Sequence, residues 1–448
     1  MDMGAGVDAL LYARAQMGVS LAFHIVFAAA GIALPVLLVA SDLLYRRTRD
    51  AVYRELSKRL AKGTAVLFAV GAVSGTVLSL ELGLLWPRFM GSFGEVVGLP
   101  FALEGYAFFT EAIFLGIYLY GRDRVPAGLH LASGVAVAVS GAASAFFVTL
   151  VNAIMNVPRG FAWVDGRAVD VDPLAAMFGG PWLQQTLHVL ISCYQSTAFA
   201  MAGIHAWMLL RHGESALHRK ALALALWMAC ITALVQPLSG DFSAREVARH
   251  QPTKLAALEG HFHTERGAPL RIGGLPDVED GVTRYAIEIP GGLSFLAFGD
   301  PTAEVRGLNA FPRDTWPPVV GTHLAFQVMV GAGMAMAVLA IAAIALTLRR
   351  RRLPTSRVFL KAVVIASPLG VIAMEAGWLV TELGRQPWIV RGAMRTADAV
   401  TPFPYLAAPF WIFTVVYVFL AIAVVLLLRS HVAATAPARR GELRHAGS

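Results

Sequence analysis

Cysteine and charged residues are scarce in this chain of 448 residues, which contains two cysteines and only 15% Asp, Glu, Lys and Arg. Cys193 and Cys230 both fall inside apolar runs, so they are expected to be small core residues rather than a disulfide, and they do not indicate a redox compartment. The low charge, with 57% hydrophobic residues and a mean hydropathy of +0.62, excludes an ordinary soluble domain. The sequence therefore predicts a polytopic membrane protein.

Apolar runs of about 20 or more residues recur along the chain, and each is long enough to cross a ~30 Å hydrocarbon layer as a helix. The first run is too long for the apolar core of a cleavable signal peptide. The predicted fold class is an all-α polytopic membrane protein with about nine transmembrane helices. The predicted spans are Gly18–Leu44, Gly63–Trp86, Leu99–Tyr120, Gly128–Met155, Leu183–Leu210, Ala221–Leu238, Val320–Leu348, Phe359–Leu383 and Tyr405–Leu428.

The net charge of +8 is distributed as a topology signal and does not suggest a nucleic-acid partner. Lys and Arg cluster after the first, third, fifth, seventh and ninth spans, whereas the alternate short connections hold few. The positive-inside rule therefore predicts an outer N-terminus and a cytoplasmic C-terminus, as an odd number of spans requires.

The predicted organisation has four parts. Residues 1–238 hold six spans, 239–318 form one long outer loop, 319–430 hold three spans, and 431–448 form a cytoplasmic tail. A loop of this length in a compact membrane protein is predicted to be functional.

Charged and aromatic residues interrupt the eighth span near its end. Glu375, Trp378, Glu382 and Arg385 step by three, four and three residues, so they share one face of a helix. A charged side chain near the bilayer centre costs at least ~2.5–3.5 kcal/mol, so such residues usually face a protein interior and are functional. The alternative interpretation is an ordinary ion pair between Glu382 and Arg385 at a helix end.

The predicted topology also sorts the polar residues of the spans by depth. Most of them fall in the outer half: His24, Glu81, Glu104, Asn152, His188, His323, Met329 and Glu382, with Glu111 deeper. His and Met at one depth are typical of a metal or haem site, whereas buried carboxylates indicate a proton relay. A lone His or Met is more often an ordinary core residue, and His130, His205 and His323 are interpreted so. His261 and His263 have the spacing of a metal pair, but no further ligands accompany them.

Four segments resemble subunit I of the cytochrome bd-type quinol oxidases. Trp378–Trp388 contains Gly-Arg-Gln-Pro-Trp, and Thr253–Glu259, Thr-Lys-Leu-Ala-Ala-Leu-Glu, is similar to the start of that family's quinol-binding outer loop. Glu104–Glu111 resembles its third helix with two carboxylates, and Phe326–Met329 resembles its methionine site on the seventh helix. With nine spans and one long loop, the resemblance covers essentially the whole chain.

The resemblance implies three haems. His188 and Met329 would be the axial ligands of a low-spin haem b. His24 and Glu382 would be ligands of the other two haems, a high-spin haem b and a haem d or a further haem b. The resemblance does not assign either residue to one particular haem of these two.

Further roles are implied for polar residues around these haems. Lys254 and Glu259 would belong to the quinol site, with Glu259 as a proton acceptor. Glu104 and Glu111 would end a proton route toward the oxygen site.

Arg385 and Trp378 would support the haem propionates and the packing around them. Arg385 would pair with a propionate and would not be the counter-ion of Glu382. Glu375 has no assigned role. The family's best-studied members carry Arg where this chain has Gln327, which removes a cation near the low-spin haem. The outer loop is short, as in the short-loop, cyanide-insensitive branch.

The implied function is a terminal respiratory oxidase of the bacterial cytoplasmic membrane that oxidises quinol, reduces dioxygen to water and separates charge without a pump. The implied partners are a second large membrane subunit, a small single-span subunit, quinol, dioxygen and the lipid bilayer. Two alternatives use the same residues. A proton-coupled transporter would more often show an inverted repeat, which is not evident, and a quinone-linked cytochrome b that does not reduce oxygen would carry paired histidines on one helix.

Overall fold

A computed structural model describes residues 3–403 and 405–433 of the chain, with side chains described from residue 9. Most of the predicted tail, 434–448, lies outside the described residues. Within the described residues, nine helices or helix pairs are long and apolar enough to cross a membrane, which confirms the predicted number of spans.

The α-helices of the described residues are α1 (Met3–Thr48), α2 (Ala51–Leu85), α3 (Pro87–Gly121), α4 (Ala127–Asn156), α5 (Pro173–Phe178), α6 (Trp182–His212), α7 (Ala216–His250), α8 (Pro252–Leu258), α9 (Gly292–Phe298), α10 (Val319–Arg350), α11 (Arg357–Ala366), α12 (Leu369–Leu383), α13 (Thr396–Ala399) and α14 (Ala407–Ala433). The strands are β1 (Ala162–Val164), β2 (Arg167–Val169), β3 (Glu265–Arg266), β4 (Leu270–Ile272), β5 (Leu275–Asp277), β6 (Val282–Arg284), β7 (Ile287–Ile289), β8 (Glu304–Val305), β9 (Trp388–Val390) and β10 (Met394–Arg395). The strands form two-stranded antiparallel sheets in the connections between spans.

Helix α7 continues beyond the predicted end of its span. The first part of the predicted outer loop, 239–250, is helical, so the long connection comprises residues 251–318. Ion pairs one turn apart stabilise this polar extension: Arg245 Nε lies 3.0 Å from Asp241 Oδ2, and Arg249 Nη1 lies 3.0 Å from Glu246 Oε1. The apolar run of the sequence thus ends at Leu238, whereas the helix itself continues to His250.

The predicted eighth span is two helices, α11 and α12, joined at Ser367 and Pro368. Proline has no backbone N–H and disfavours a continuous helix. The joint packs tightly on α6, since a Cβ added at Gly203 would lie 2.2 Å from Ser367 Cβ, and one added at Gly370 would lie 2.5 Å from Ser196 Cα. Glycines on both helices therefore allow the backbones to approach and fix the position of α12.

A buried apolar cluster joins the helices that carry the predicted site residues. Ile25 and Ala29 of α1, Ala145 of α4, Cys193 of α6 and Met374 of α12 pack together. The ring of Trp378 lies on this cluster together with Leu21, Val189 and Leu190. Trp378 thus packs among residues close in sequence to His24 and His188, in agreement with a packing role.

Candidate functional site

His24 faces helix α2, where a serine fixes its orientation. His24 Nδ1 lies 2.9 Å from Ser74 Oγ, whose hydroxyl donates to Val70 O at 2.9 Å. Because that hydroxyl proton is used, the serine oxygen accepts the Nδ1 proton, and the Nε2 lone pair is left for a metal. A Cβ at the next residue, Gly75, would lie 3.0 Å from His24 Cε1, so the imidazole packs directly against a glycine of α2 and a larger residue there would displace it.

His188 is held by helix α7 in the same manner. Its Nδ1 lies 2.9 Å from Ser239 Oγ, which donates to Gln236 O at 2.9 Å. The Gln236 amide nitrogen lies 3.2 Å from His188 Nε2 and 3.3 Å from Nδ1; because the Nδ1 proton is donated to Ser239, the amide N–H donates to the lone pair of Nε2. A Cβ at Gly240 would be 3.6 Å from His188 Cε1.

Met329 of α10 faces a glycine of α12. A Cβ at Gly377 would lie 3.1 Å from Met329 Sδ, closer than nearly all such contacts in proteins. The thioether therefore faces a helix surface without a side chain. Among the predicted ligands, His24 and Met329 thus pack closely against a glycine of a neighbouring helix, and His188 is in ordinary contact with Gly240.

Glu382 and Arg385 form an ion pair at the end of α12. Arg385 Nη2 lies 2.5 Å from Glu382 Oε2, and the Arg385 side chain is 4% exposed against 33% for Glu382. The expectation that Arg385 would not serve as the counter-ion of Glu382 is therefore wrong for this structure. Arg385 Nε is buried without a hydrogen-bond partner among the described residues, so the guanidinium retains a donor for a further acid group.

A polar network connects this ion pair to the long connection. Arg385 Nη1 donates to Asn152 Oδ1 at 3.2 Å, and Asn156 Nδ2 donates to Asn152 O at 2.9 Å. Lys254 Nζ donates to Asn156 Oδ1 at 3.4 Å and to Thr381 Oγ1 at 3.5 Å. The sequence separates these residues widely, and the fold places Lys254 beside the Glu382 helix end.

Lys254 is 6% exposed and lies across Gly384, where a Cβ would be 2.7 Å from Lys254 Cε. Burial, aided by the nearby Arg385 guanidinium, lowers the pKa of Lys254 to about 7. Ordinary lysines remain charged well above this value, so Lys254 can give up its proton near neutral pH.

Glu259 directly follows α8 and is 4% exposed. Its Oε2 is buried without a hydrogen-bond partner among the described residues, and burial raises the pKa of this carboxyl to about 8, against the opposing effect of Arg271. A buried carboxyl with this pKa can exchange a proton near neutral pH. No hydrogen bond or ion pair joins Glu259 to Lys254 in the described structure.

Glu104 and Glu111 lie on one face of α3, toward α4. Glu104 Oε1 accepts from Ser144 Oγ at 2.9 Å. Glu111 is 5% exposed, and a Cβ at Gly141 would lie 3.4 Å from its carboxylate. Its Oε1 is buried without a partner among the described residues, as expected for a group that exchanges protons with neighbours.

The histidines interpreted as core residues are hydrogen-bonded. His130 contacts Tyr118 O at 3.1 Å, His205 contacts His218 at 3.0 Å between Nδ1 atoms, and His323 contacts Leu258 O at 2.8 Å. His261 is buried and lies 3.3 Å from Val305 O. In the described residues no three His, Cys, Asp or Glu side chains come together as a metal site.

Ser74 and Ser239 are the functional residues that sequence reasoning missed. They lie 50 and 51 residues from the histidines they contact, on neighbouring helices. The sequence signal that could have found them is a Ser next to Gly: Ser74-Gly75 in the middle of the predicted second span, and Ser239-Gly240 directly after the predicted sixth span.

The nine-span fold, with histidine, methionine and carboxylate side chains between its helices, is typical of a haem-binding membrane protein of the respiratory type. The chain belongs to the cytochrome bd terminal oxidase subunit I family, whose sequence profile it matches over residues 12–436. It is 40% identical over 428 residues to a protein of Bacillus subtilis (strain 168) provisionally named cytochrome bd menaquinol oxidase subunit I, covering 94% of this chain and 96% of that protein. It is 30% identical to the cytochrome bd ubiquinol oxidase subunit 1 of the same organism, covering 88% and 86%.

Among solved structures, the bd oxidase from Geobacillus thermodenitrificans superposes with a TM-score of 0.91 at 39% identity, covering 96% of this chain and 99% of that chain. The chain is a subunit of a terminal quinol oxidase, a quinol:oxygen oxidoreductase, and a multi-pass protein of the bacterial cytoplasmic membrane. The family implies haem cofactors, a subunit II partner, quinol and dioxygen. The transporter and the cytochrome b that does not reduce oxygen are thereby set aside.

Proposed function

We propose that this chain holds three haems through four side chains, each from a different helix. His188 and Met329 bind a low-spin haem b, and His24 and Glu382 bind the high-spin haem b and a haem d or a further haem b. The observation that supports this assignment is that a serine lies 2.9 Å from the Nδ1 of each histidine, which orients both imidazoles with the Nε2 lone pair available as a ligand. The haems, when bound, carry electrons from quinol to dioxygen.

Around these ligands the protein supplies orientation and charge. Ser74 and Ser239 hold the two imidazoles in one tautomer. Arg385 partners Glu382 through one nitrogen and directs its unpartnered Nε toward a haem propionate, and Trp378 packs between α1 and α6.

Quinol is oxidised next to Lys254 and Glu259. Glu259 accepts a quinol proton through its unpartnered Oε2 and releases it on the outer side. The buried Lys254 donates a hydrogen bond to the quinol oxygen. The relatives are named for menaquinol and for ubiquinol.

Protons for dioxygen reduction come from the cytoplasm through Glu111 and then Glu104. Each charge that crosses the membrane is worth ~2.3 kcal/mol per 100 mV, so uptake on one side and release on the other separates charge without a pump. This scheme uses the topology predicted from the basic clusters, with the N-terminus and the long connection outside. A small single-span subunit is part of the proposed assembly.

The quinol site predicts a pH dependence. Because the pKa of Glu259 is raised to about 8, its carboxyl is mostly protonated at pH 7 and cannot accept a proton. We expect the rate of quinol oxidation at saturating oxygen to rise between pH 7 and pH 9 as Glu259 ionises. Glu259→Gln should lower the rate about 100-fold and abolish this rise, because general bases contribute factors of this size.

Glu279 gives the matched control, since it is an exposed carboxylate of the same connection, paired with Arg313. Glu279→Gln should keep both the rate and the rise with pH. Binding of carbon monoxide to the reduced Glu259→Gln enzyme should be normal. A rate that still rises with pH in Glu259→Gln would refute the role of this residue.

The serine contact predicts a change in the low-spin haem. Ser239→Ala removes the acceptor of the His188 Nδ1 proton, and loss of such a partner typically costs 10–100-fold in metal affinity or activity. We therefore expect lower low-spin haem b occupancy and a shifted midpoint potential in redox titrations. Ser243→Ala, one turn further along α7, removes only a bond to Ser239 O and should leave both unchanged.

A further inference from the structure

Two short sheets of the long connection meet at an apolar end. In the pair β4–β7, Ile272 faces Ile287, and in the pair β5–β6, Leu275 faces Arg284. The segments 271–275 and 284–287 that join these pairs are called the loop tip below. Its apolar side chains are open to the surroundings, with Ile272 49%, Tyr285 91% and Ile287 68% exposed.

The loop tip is anchored to the side of α10. Gln327 accepts from Gly273 N at 2.9 Å through Oε1 and donates to Arg271 O at 3.0 Å through Nε2. His323, one turn earlier on α10, lies 3.2 Å from Gly273 O. Gln327, at the position where the best-studied family members carry arginine, therefore attaches the long connection to α10 through two hydrogen bonds.

The anchor fixes the depth of the loop tip. Helix α10 has 32 residues, or about 48 Å, which exceeds the ~30 Å hydrocarbon layer. A helix needs about 20 residues to cross this layer. If one boundary lies at Arg349, the first basic residue of the last turn of α10, the other boundary lies near Met329. Gln327 lies two residues beyond that boundary, and the loop tip is held at this level.

The neighbouring surface of α10 is apolar and continues into the span. Leu324 and Val328 are 42% and 48% exposed on either side of Gln327. The exposed side chains of the loop tip thus extend the exposed apolar surface of the helix. Tyrosine at the level of the headgroups is typical of membrane interfaces.

Charged groups next to the loop tip suit the same environment. Arg271 pairs with Glu288 at 2.9 Å, and Arg284 pairs with Asp277 at 3.2 Å. All four are side chains of the sheets and lie beside the apolar residues, so their charges can remain among the headgroups while the apolar side chains enter the lipid.

We propose that the loop tip is a membrane-contact surface in which Ile272, Tyr285 and Ile287 insert into the boundary between headgroups and acyl chains of the adjoining leaflet. The occupant of this surface is lipid. The contact rests on the membrane-spanning fold and does not depend on the proposed quinol site. It also ties the connection that carries Glu259 to the lipid phase, since Thr283 Oγ1 donates to Gly260 O at 2.7 Å.

Spin labels on introduced cysteines test the contact in the full oxidase in phospholipid nanodiscs. Ile287→Cys and Tyr285→Cys would be labelled with a nitroxide in a Cys230→Ser background, in which the remaining Cys193 is buried. We expect collisions with oxygen to exceed those with a water-soluble nickel chelate. Thr302→Cys, an exposed position of the same connection, should show the reverse.

Haem spectra show which variants are folded. If Ile287→Cys or Tyr285→Cys does not fold, Ile272→Cys is used in its place. Equal exposure to the nickel chelate at the loop tip and at position 302 would overturn the proposal. A label whose spectrum shows strong immobilisation both in nanodiscs and in detergent would also overturn it, since a protein partner rather than fluid lipid would then cover the surface.

Discussion

His188→Ala is expected to abolish the low-spin haem b signal in the reduced-minus-oxidised spectrum and to reduce quinol-dependent oxygen consumption to background. Alanine provides no ligand, and the thioether of Met329 alone is a weak one. The apolar cluster beneath the site does not include the imidazole, so assembly with subunit II should be retained. Visible spectroscopy and pyridine haemochrome quantification of the purified complex measure the loss of haem b, and an oxygen electrode measures the loss of oxygen consumption.

His205→Ala is the matched control, because His205 lies on the same helix at the opposite end and is also buried. It should keep the low-spin spectrum. A normal spectrum in His188→Ala would remove His188 from the ligand set.

Gly75→Val is expected to displace the haem held by His24 without replacing any proposed ligand. Its Cβ alone would lie 3.0 Å from His24 Cε1, so the valine side chain would push the imidazole out of its position. We expect loss of the corresponding high-spin signal and of oxygen reduction, with the low-spin haem b spectrum unchanged. Carbon monoxide difference spectra and oxygen consumption separate the two haem environments.

Gly83→Val, on the same helix, controls for the cost of valine, since a Cβ there has nothing within 4 Å. It should leave the haem content unchanged. Retention of full oxygen reduction in Gly75→Val would refute the proposed position of this haem.

The extension of α7 and the break before α12 show the limit of apolar periodicity as a predictor. Hydropathy predicts which residues lie in the hydrocarbon layer. It does not predict where a helix ends or breaks, because ion pairs extend α7 and a proline interrupts the eighth span. The ion pair of Glu382 with Arg385 was likewise one of two open interpretations, because a spacing of three residues permits the contact without requiring it.

The sequence by itself determined the membrane class, the spans and the family, because apolar runs and the segments at Glu104, Lys254, Met329 and Glu382 are local in the chain. Only the tertiary structure decided which residues face them. Ser74 at His24, Gly377 at Met329 and Asn152 at Arg385 are contacts between helices, set by how each helix is rotated and by where glycines permit close approach. The local sequence does not specify how each helix is rotated, so the contacts of the site residues could be identified only from the packed fold.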